Sequence, residues 1–513
     1  MIVPFLALIG ALAACDDLIA PARSSRTGRS AAAGGDGLPW APRIPWAEGS
    51  GPIFDYFHAP EGPAGAERRA RAVAALVAQR GDRPFRPSEE LHGAGLFRPL
   101  EARRGKGRAP GHQLIVPVGH DHARRVYVRV PEGYTPERPW PLILAYHPSG
   151  GDGRPMIGRI ERLLGGEVDR YVVAAPDHYR QTSLDHPRPV SSEHLAVLHA
   201  LQGMVHVDGD RVYVTGYSLG GYTAWHLGAL HADRFAAAVP MAGTFGFLGG
   251  PDGVWTEFLA NLEHLPVLSV WGGRDRLNVP GLNARGSAGS MSDVNRRLAP
   301  LLERHGAATV THHEVPGAGH GGATPPRSLL LEHLRAERVR APRDVEHWFR
   351  YVHQAHAYWI EGHHWQGELW DRPWPPVDPR RGESRDAATW RAIRERLGMI
   401  RGTIRGGPEG DQDGRGGAAQ RIEVETRHLA DLTVWIEDGM IDWSRPVTVA
   451  HNGREAFTGT LKRDPAVALA EARRTRDFDR IRWAGVRIDA TTGTGRPVAP
   501  EEDLPPVLRE VLD

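Results

Sequence analysis

The stretch that most constrains what this chain can fold into is 211–230, RVYVTGYSLGGYTAWHLGAL. Val212-Tyr213-Val214-Thr215 is a β-branched run that predicts a short buried strand, and the apolar positions after Ser218 fall at helical spacing. Ser218 therefore sits where strand becomes helix. A non-glycine residue in so tight a turn is strained, and only small neighbours two positions before and after it let the two elements pass closely. Gly216 and Gly220 supply both. The turn pushes the hydroxyl out of the sheet beside the positive end of the following helix, where a backbone N–H can meet developing negative charge. The bland alternative is a glycine-rich turn with an idle serine; a strand before it and a helix after it favour the reactive reading.

Cys15 is the only cysteine in 513 residues, so no disulfide is expected. Residues 2–14 form an apolar run too short to span a bilayer, ending in Leu12-Ala13-Ala14-Cys15. This ending resembles a bacterial lipobox. The resemblance implies a signal peptide over 1–14, cleavage before Cys15, lipid on its thiol, and a protein held to a membrane of the cell envelope; an ordinary cleaved secretion signal is the alternative. Lys and Arg number 63 against 62 Asp and Glu, so no basic face is implied and nucleic acid is not an expected partner.

At this length two domains plus linkers are expected. Residues 15–110 read as a tether rich in Ala, Gly, Pro, Ser and Arg, then a small helical segment whose apolar stripe is Ala72, Val73, Leu76 and Val77. Residues 111–340 read as the main domain. A hairpin over 112–118 and 125–130 opens it. Apolar strands at 142–146, 171–175, 211–215, 236–242, 266–271 and 309–315 then alternate with helices. Continuous apolar strands separated by helices predict an α/β fold, a mostly parallel sheet covered on both faces. Residues 341–400 read as a helical, Trp/Pro-rich connector with an aromatic-rich helix over 346–361. Residues 401–513 read as a smaller β-rich module with a helix over 465–474 and a hairpin turn at Asn452-Gly453.

A serine is a poor nucleophile alone and needs a base, itself oriented by an acid. After a turn of this kind the partners follow in chain order Ser, Asp or Glu, His. Asp275, in Trp271-Gly272-Gly273-Arg274-Asp275, directly follows the strand 266–270. His320, in Gly317-Ala318-Gly319-His320-Gly321-Gly322, follows the last strand. Both stand at carboxyl ends of strands, where open α/β sheets bind ligands. Asp252 and Asp293 are the rival acids, but neither directly follows a core strand. Leu219 offers one N–H to an oxyanion, and the loop His147-Pro148-Ser149-Gly150-Gly151 offers another.

At these residues the chain resembles the α/β-hydrolase superfamily, and within it the secreted esterases related to polyhydroxybutyrate depolymerases, feruloyl esterases and prolyl-oligopeptidase-like enzymes. The resemblance covers roughly 124–322. It implies the α/β-hydrolase fold and hydrolysis of a small-molecule or polymeric ester through an acyl-enzyme, with Ser218 as nucleophile, His320 as base, Asp275 as its orienting acid, and no metal or organic cofactor. The chain departs from the family's His-Gly-Gly-Gly pattern at Pro148 and Ser149. Proline has no N–H, so Ser149 or Gly150 becomes the second oxyanion donor. Tyr217, Met241, Phe245 and Trp255 are the candidate lining of a substrate pocket, against the alternative of a surface cap packing on its own aromatics.

His353, His356, His363 and His364, and the pair His120 and His122, match no familiar zinc spacing, so metal binding is not expected. Trp365, Trp370 and Trp374 are expected at the seam between the domains. Two rival functions remain at this point. One is a prolyl-oligopeptidase-like peptidase with the same three residues; the other is a non-catalytic envelope lipoprotein that uses the same body as a binding scaffold.

Overall fold

The computed structural model of the chain describes residues 49–500 except 82, 98, 101–111, 119–122, 178–189, 246–253, 281–286, 305–308, 368–376 and 408–419. Cys15 and the segment before it, His120, His122, Asp252, Trp370 and Trp374 lie outside the described residues. Three helices come first, α1 (Pro52–Phe57), α2 (Pro63–Arg80) and α3 (Pro87–His92). The sheet that follows is built from β1 (His112–Pro117), β2 (Ala123–Arg129), β3 (Trp140–Tyr146), β4 (Val172–Pro176), β5 (Val207–Tyr217), β6 (Ala237–Met241), β7 (Val267–Gly272) and, after a short hairpin of β8 (Asn278–Pro280) and β9 (Ser287–Ser290), β10 (Val310–Val315). Its order is β1-β2-β4-β3-β5-β6-β7-β10. Only β2 runs against its neighbours: β3, β4, β5, β6, β7 and β10 pair in parallel, with Ile143 beside Tyr213 and Tyr213 beside Ala237 at the centre. This is the strand order and direction of the α/β-hydrolase fold.

Strand periodicity divides the core in two. Leu142, Leu144 and Tyr146 of β3 point to one face, which is covered by α5 (Val190–Gln202), α6 (Leu219–Leu230) and α7 (Met291–Arg304). Ile143 and Ala145 point to the other, covered by α4 (Gly153–Leu164) and α8 (Arg327–His333). The helix after Ser218, α6, is buried all round from Gly220 to Leu230, which places it at the centre of the first core.

The remaining chain forms two five-stranded sheets. One is β11 (Asp344–Phe349), β14 (Gly398–Arg405), β15 (Gln420–Arg427), β17 (Val447–His451) and β18 (Arg454–Gly459). The other is β12 (His356–Ala357), β13 (Ile360–Trp365), β16 (Leu429–Ile436), β19 (Ala484–Asp489) and β20 (Thr494–Pro497). Helices α9 (Arg385–Arg394) and α10 (Pro465–Thr475) complete it. The aromatic helix expected over 346–361 is therefore strand. Within β11, Val345, His347 and Phe349 are buried while Asp344, Glu346 and Trp348 are not, a period of two that aromatic content disguised. The β-rich part starts at Asp344 rather than 401, and the expected connector supplies β11, β12 and β13 to both of its sheets. The stripe on α2 is also narrower than expected: Ala72 and Leu76 are buried against Leu469 and Phe478, whereas Val77 is exposed.

Of the three tryptophans expected at the seam, Trp365 is the one among the described residues, and it packs elsewhere. Trp365 is partly buried against the core of the β-rich part, stacked on His428 and edge-on to Phe349. The junction is both apolar and ionic: Ile393 and Leu397 are buried in the first core of the main sheet, and Trp348 and Trp390 pack against it. Arg338, which follows α8, donates to Asp477 at 2.5 Å and to Asp210 of β5 at 3.0 Å, and Arg480 donates to Asp233 at 3.2 Å. All five side chains are buried or nearly so, and the arginines hold Asp233 and Asp477 well below the usual carboxylate range against the opposing effect of burial. Asn261 adds a hinge-free link, its amide donating to Ala229 and to Trp348 of β11.

Candidate active site

Ser218 occupies the one-residue turn between β5 and α6 with φ 55° and ψ −115°, a conformation costly for a residue with a Cβ. Neighbours hold it there: its N–H donates to Met241 O at 2.9 Å and its carbonyl accepts from Tyr222 N–H. A Cβ on Gly216 would stand 2.1 Å from Gly220 O, and one on Gly220 would stand 2.0 Å from Tyr146 O. Glycine is thus obligatory at both expected positions. Gly221 is a third such position, where a Cβ would stand 2.3 Å from Met241 O.

The three residues singled out from the sequence form one line. The Ser218 hydroxyl is 2.8 Å from His320 Nε2, and His320 Nδ1 is 2.7 Å from Asp275 Oδ2. A carboxylate only accepts, so the Nδ1–H donates to Asp275 and Nε2 is left with its lone pair toward the hydroxyl. Asp275 is fully buried, and its second oxygen accepts from Leu277 N–H at 3.0 Å. The acid and base loops are laced together by backbone bonds, Arg274 N–H to Ala318 O and Gly273 N–H to Val315 O. Gly272 makes that approach possible, since a Cβ there would stand 2.5 Å from both Ala318 O and Gly319 O.

Leu219 is the first residue of α6, so its N–H is one of the donors left over at a helix start. The loop after β3 begins close against Gly220, where a Cβ would stand 2.0 Å from Tyr146 O and 3.0 Å from His147 O. Within it Gly151 N–H turns back to Pro148 O at 3.3 Å and His147 Nδ1 donates to the same oxygen. The Gly151 N–H being committed, Ser149 and Gly150 are the N–H groups the loop has to offer.

The expected pocket residues separate. Met241 is buried in the core beneath the sheet and Phe245 in the core above it, where it packs edge-on against Trp225. Both side chains are buried, Met241 as the last residue of β6 and Phe245 shortly after it. The side chain of Trp255 lies outside what is described. Tyr217 belongs to the site: its hydroxyl donates to the backbone carbonyl of His320, and its ring meets the imidazole edge-on. Burial raises its phenol above the ordinary value, which keeps the hydroxyl a donor. The Arg159 guanidinium lies over that ring, 3.6 Å from its centroid. Arg159 carried no signal in the sequence, since helix α4 presents several arginines alike. The histidines at 353, 356, 363 and 364 are dispersed among separate partners; His363 bonds Thr433 and His364 bonds Asp431.

No protein-family model matches this chain, and no curated protein matches it. Solved structures do. A thermostable esterase is 19% identical over 43% of this chain at a TM-score of 0.32, and the chain covers 59% of that esterase's length. A ferulic acid esterase from the anaerobic fungus Anaeromyces mucronatus is 14% identical, covering 46% of this chain and 94% of its own at 0.34. The fluorophosphonate-binding serine hydrolase FphF of Staphylococcus aureus is 14% identical, covering 44% and 99% at 0.33. Likenesses of this strength do not bear on chemistry, which rests on the side chains themselves.

Proposed function

We propose that this chain is a serine hydrolase that cleaves carboxylic esters through an acyl-enzyme. The observation that carries the reading is the unbroken line from Ser218 Oγ through both nitrogens of His320 to the buried Asp275 carboxylate. In that arrangement His320 Nε2 takes the hydroxyl proton as Oγ attacks the ester carbonyl. The imidazolium so formed is stabilised by Asp275. Leu219 N–H and the N–H of Ser149 or Gly150 receive the oxyanion. His320 then returns the proton to the departing alcohol, and water repeats the sequence to release the acid. The strain at Ser218 and the loops laced around His320 hold the reacting atoms before substrate arrives, which lowers the reorganisation that the reaction itself requires.

Purified protein is expected to hydrolyse 4-nitrophenyl butyrate. Ser218→Ala abolishes that turnover on this reading; turnover that survives the substitution contradicts it. Export with a lipid anchor on Cys15 belongs to the same proposal and is supported by the Leu12-Ala13-Ala14-Cys15 ending. Cys15→Ser is expected to move the protein out of the membrane fraction, and unchanged fractionation contradicts the anchor.

A further inference from the structure

The segments that frame the serine are charged unlike the rest of the chain. Whole, the sequence carries 63 basic Lys and Arg against 62 acids. In 147–162, 272–278 and 316–327 the arginines are 154, 159, 162, 274, 276 and 327, and the only carboxylates besides Asp275 are Asp152 and Glu161. Both are committed. Asp152 caps α4 by accepting from Arg154 N–H, and Glu161 accepts from Arg129 at 2.9 Å. Asp177, at the end of β4, accepts from Gly153 N–H and lies 3.8 Å from Arg125.

Arg159 stands out within this group. It is partly buried rather than fully solvated, yet no carboxylate pairs with it among the described residues; its guanidinium lies over the ring of Tyr217. Most partly buried arginines elsewhere in the chain do have an acid, as Arg124 has Glu193 and Arg391 has Glu383. The ring that holds Arg159 belongs to the residue just before the nucleophile, and the same ring lies 6.1 Å from the His320 imidazole. A guanidinium fixed by an aromatic face has already lost part of its freedom. It keeps a planar fork of donors that matches a carboxylate with two parallel bonds. Exposed Arg274 and Arg276 flank Asp275 and add same-sign field at the rim.

We propose that the substrate bears a free carboxylate and that Arg159 is the residue that receives it. This rests on the hydrolase reading above and narrows its substrate class to anionic esters.

Two ester pairs test it on the whole protein, one with the charge on the acyl side and one with it on the leaving side. They are mono-4-nitrophenyl adipate against 4-nitrophenyl hexanoate, and 4-acetoxybenzoate against its methyl ester. In one of the pairs the wild type is expected to favour the carboxylate by on the order of tenfold in kcat/KM, mainly through KM, and added salt shrinks that preference. Arg159→Gln brings the ratio to about one, and Arg159→Lys keeps part of it. Should Arg159→Gln not fold, the wild-type ratios at low and high salt decide alone. Equal or inverted ratios in both pairs, or a preference untouched by Arg159→Gln, overturn the inference and leave the hydrolase standing. Failure to turn over any of the four esters, with Ser218 inert to fluorophosphonate, overturns both.

Discussion

The hydroxyl of Tyr217 donates to the backbone carbonyl of His320, so the residue that precedes the nucleophile also steadies the loop that carries the base. Tyr217→Phe deletes that bond and keeps the ring. A hydrogen bond of this kind contributes on the order of 1 kcal/mol. If it is used to hold the imidazole in line, kcat/KM falls about fivefold with KM little changed. Steady-state kinetics at constant pH check this; a change confined to thermal stability would assign Tyr217 to packing alone.

Glycines near the site divide into two kinds. Gly221→Ala drives a methyl into Met241 O and is expected to cost about 1–3 kcal/mol and to disturb Ser218, whose N–H bonds the same carbonyl. A Cβ on Gly321 meets nothing within 4 Å, and the residue has no left-handed φ. Gly321→Ala should stay within about 0.5 kcal/mol of wild type. Denaturant unfolding of the two variants gives the contrast.

Acid should weaken the fold through neutral, buried imidazoles. Burial depresses His312 of β10 from 6.5 to about 4, and neither of its ring nitrogens has a partner among the described residues. His199 and His206 are pushed the same way, to about 4. Between about 4 and 6.5 the unfolded chain binds more protons at these sites than the folded one, so stability rises with pH across that window and is lost as pH falls through it. His312→Gln should flatten the slope there by up to about 3 kcal/mol in total. Unfolding free energy measured at pH 4.5, 5.5 and 7 is the check.

Much of this was legible in the sequence, and the reasons differ by region. Parallel strands are uniformly apolar and the Gly-Tyr-Ser-Leu-Gly turn needs a strand before and a helix after, so the main sheet and all three aligned side chains could be placed from chain order. The segment 346–361 reads as a helix from sequence because the alternation in β11, with Val345, His347 and Phe349 buried, is short and partly carried by residues that sit equally well on a helix, and β13 buries Ile360 to His363 without alternating. Phe245 and Met241 are buried in the two cores, and apolar character alone does not tell a core face from a cleft. Arg159 and the Arg338 junction could not be foreseen, as their roles depend on which distant carboxylate meets them, or does not.

The junction makes its own prediction. Arg338→Met leaves Asp477 and Asp210 without their shared buried cation and is expected to cost about 3–5 kcal/mol. Because the pairing joins β5 to the segment after α10, that loss should appear in the unfolding of the hydrolase sheet as well as of the β-rich part. Hydrogen exchange followed across the chain reports whether both lose protection together.

The most direct test of the central claim is covalent. A fluorophosphonate probe reacts only with a serine whose hydroxyl is activated, and peptide mapping locates the adduct. One adduct per chain is expected, on Ser218, absent in Ser218→Ala and slowed at least about a hundredfold in His320→Ala. An unlabelled protein, or an adduct that persists in Ser218→Ala, would contradict it.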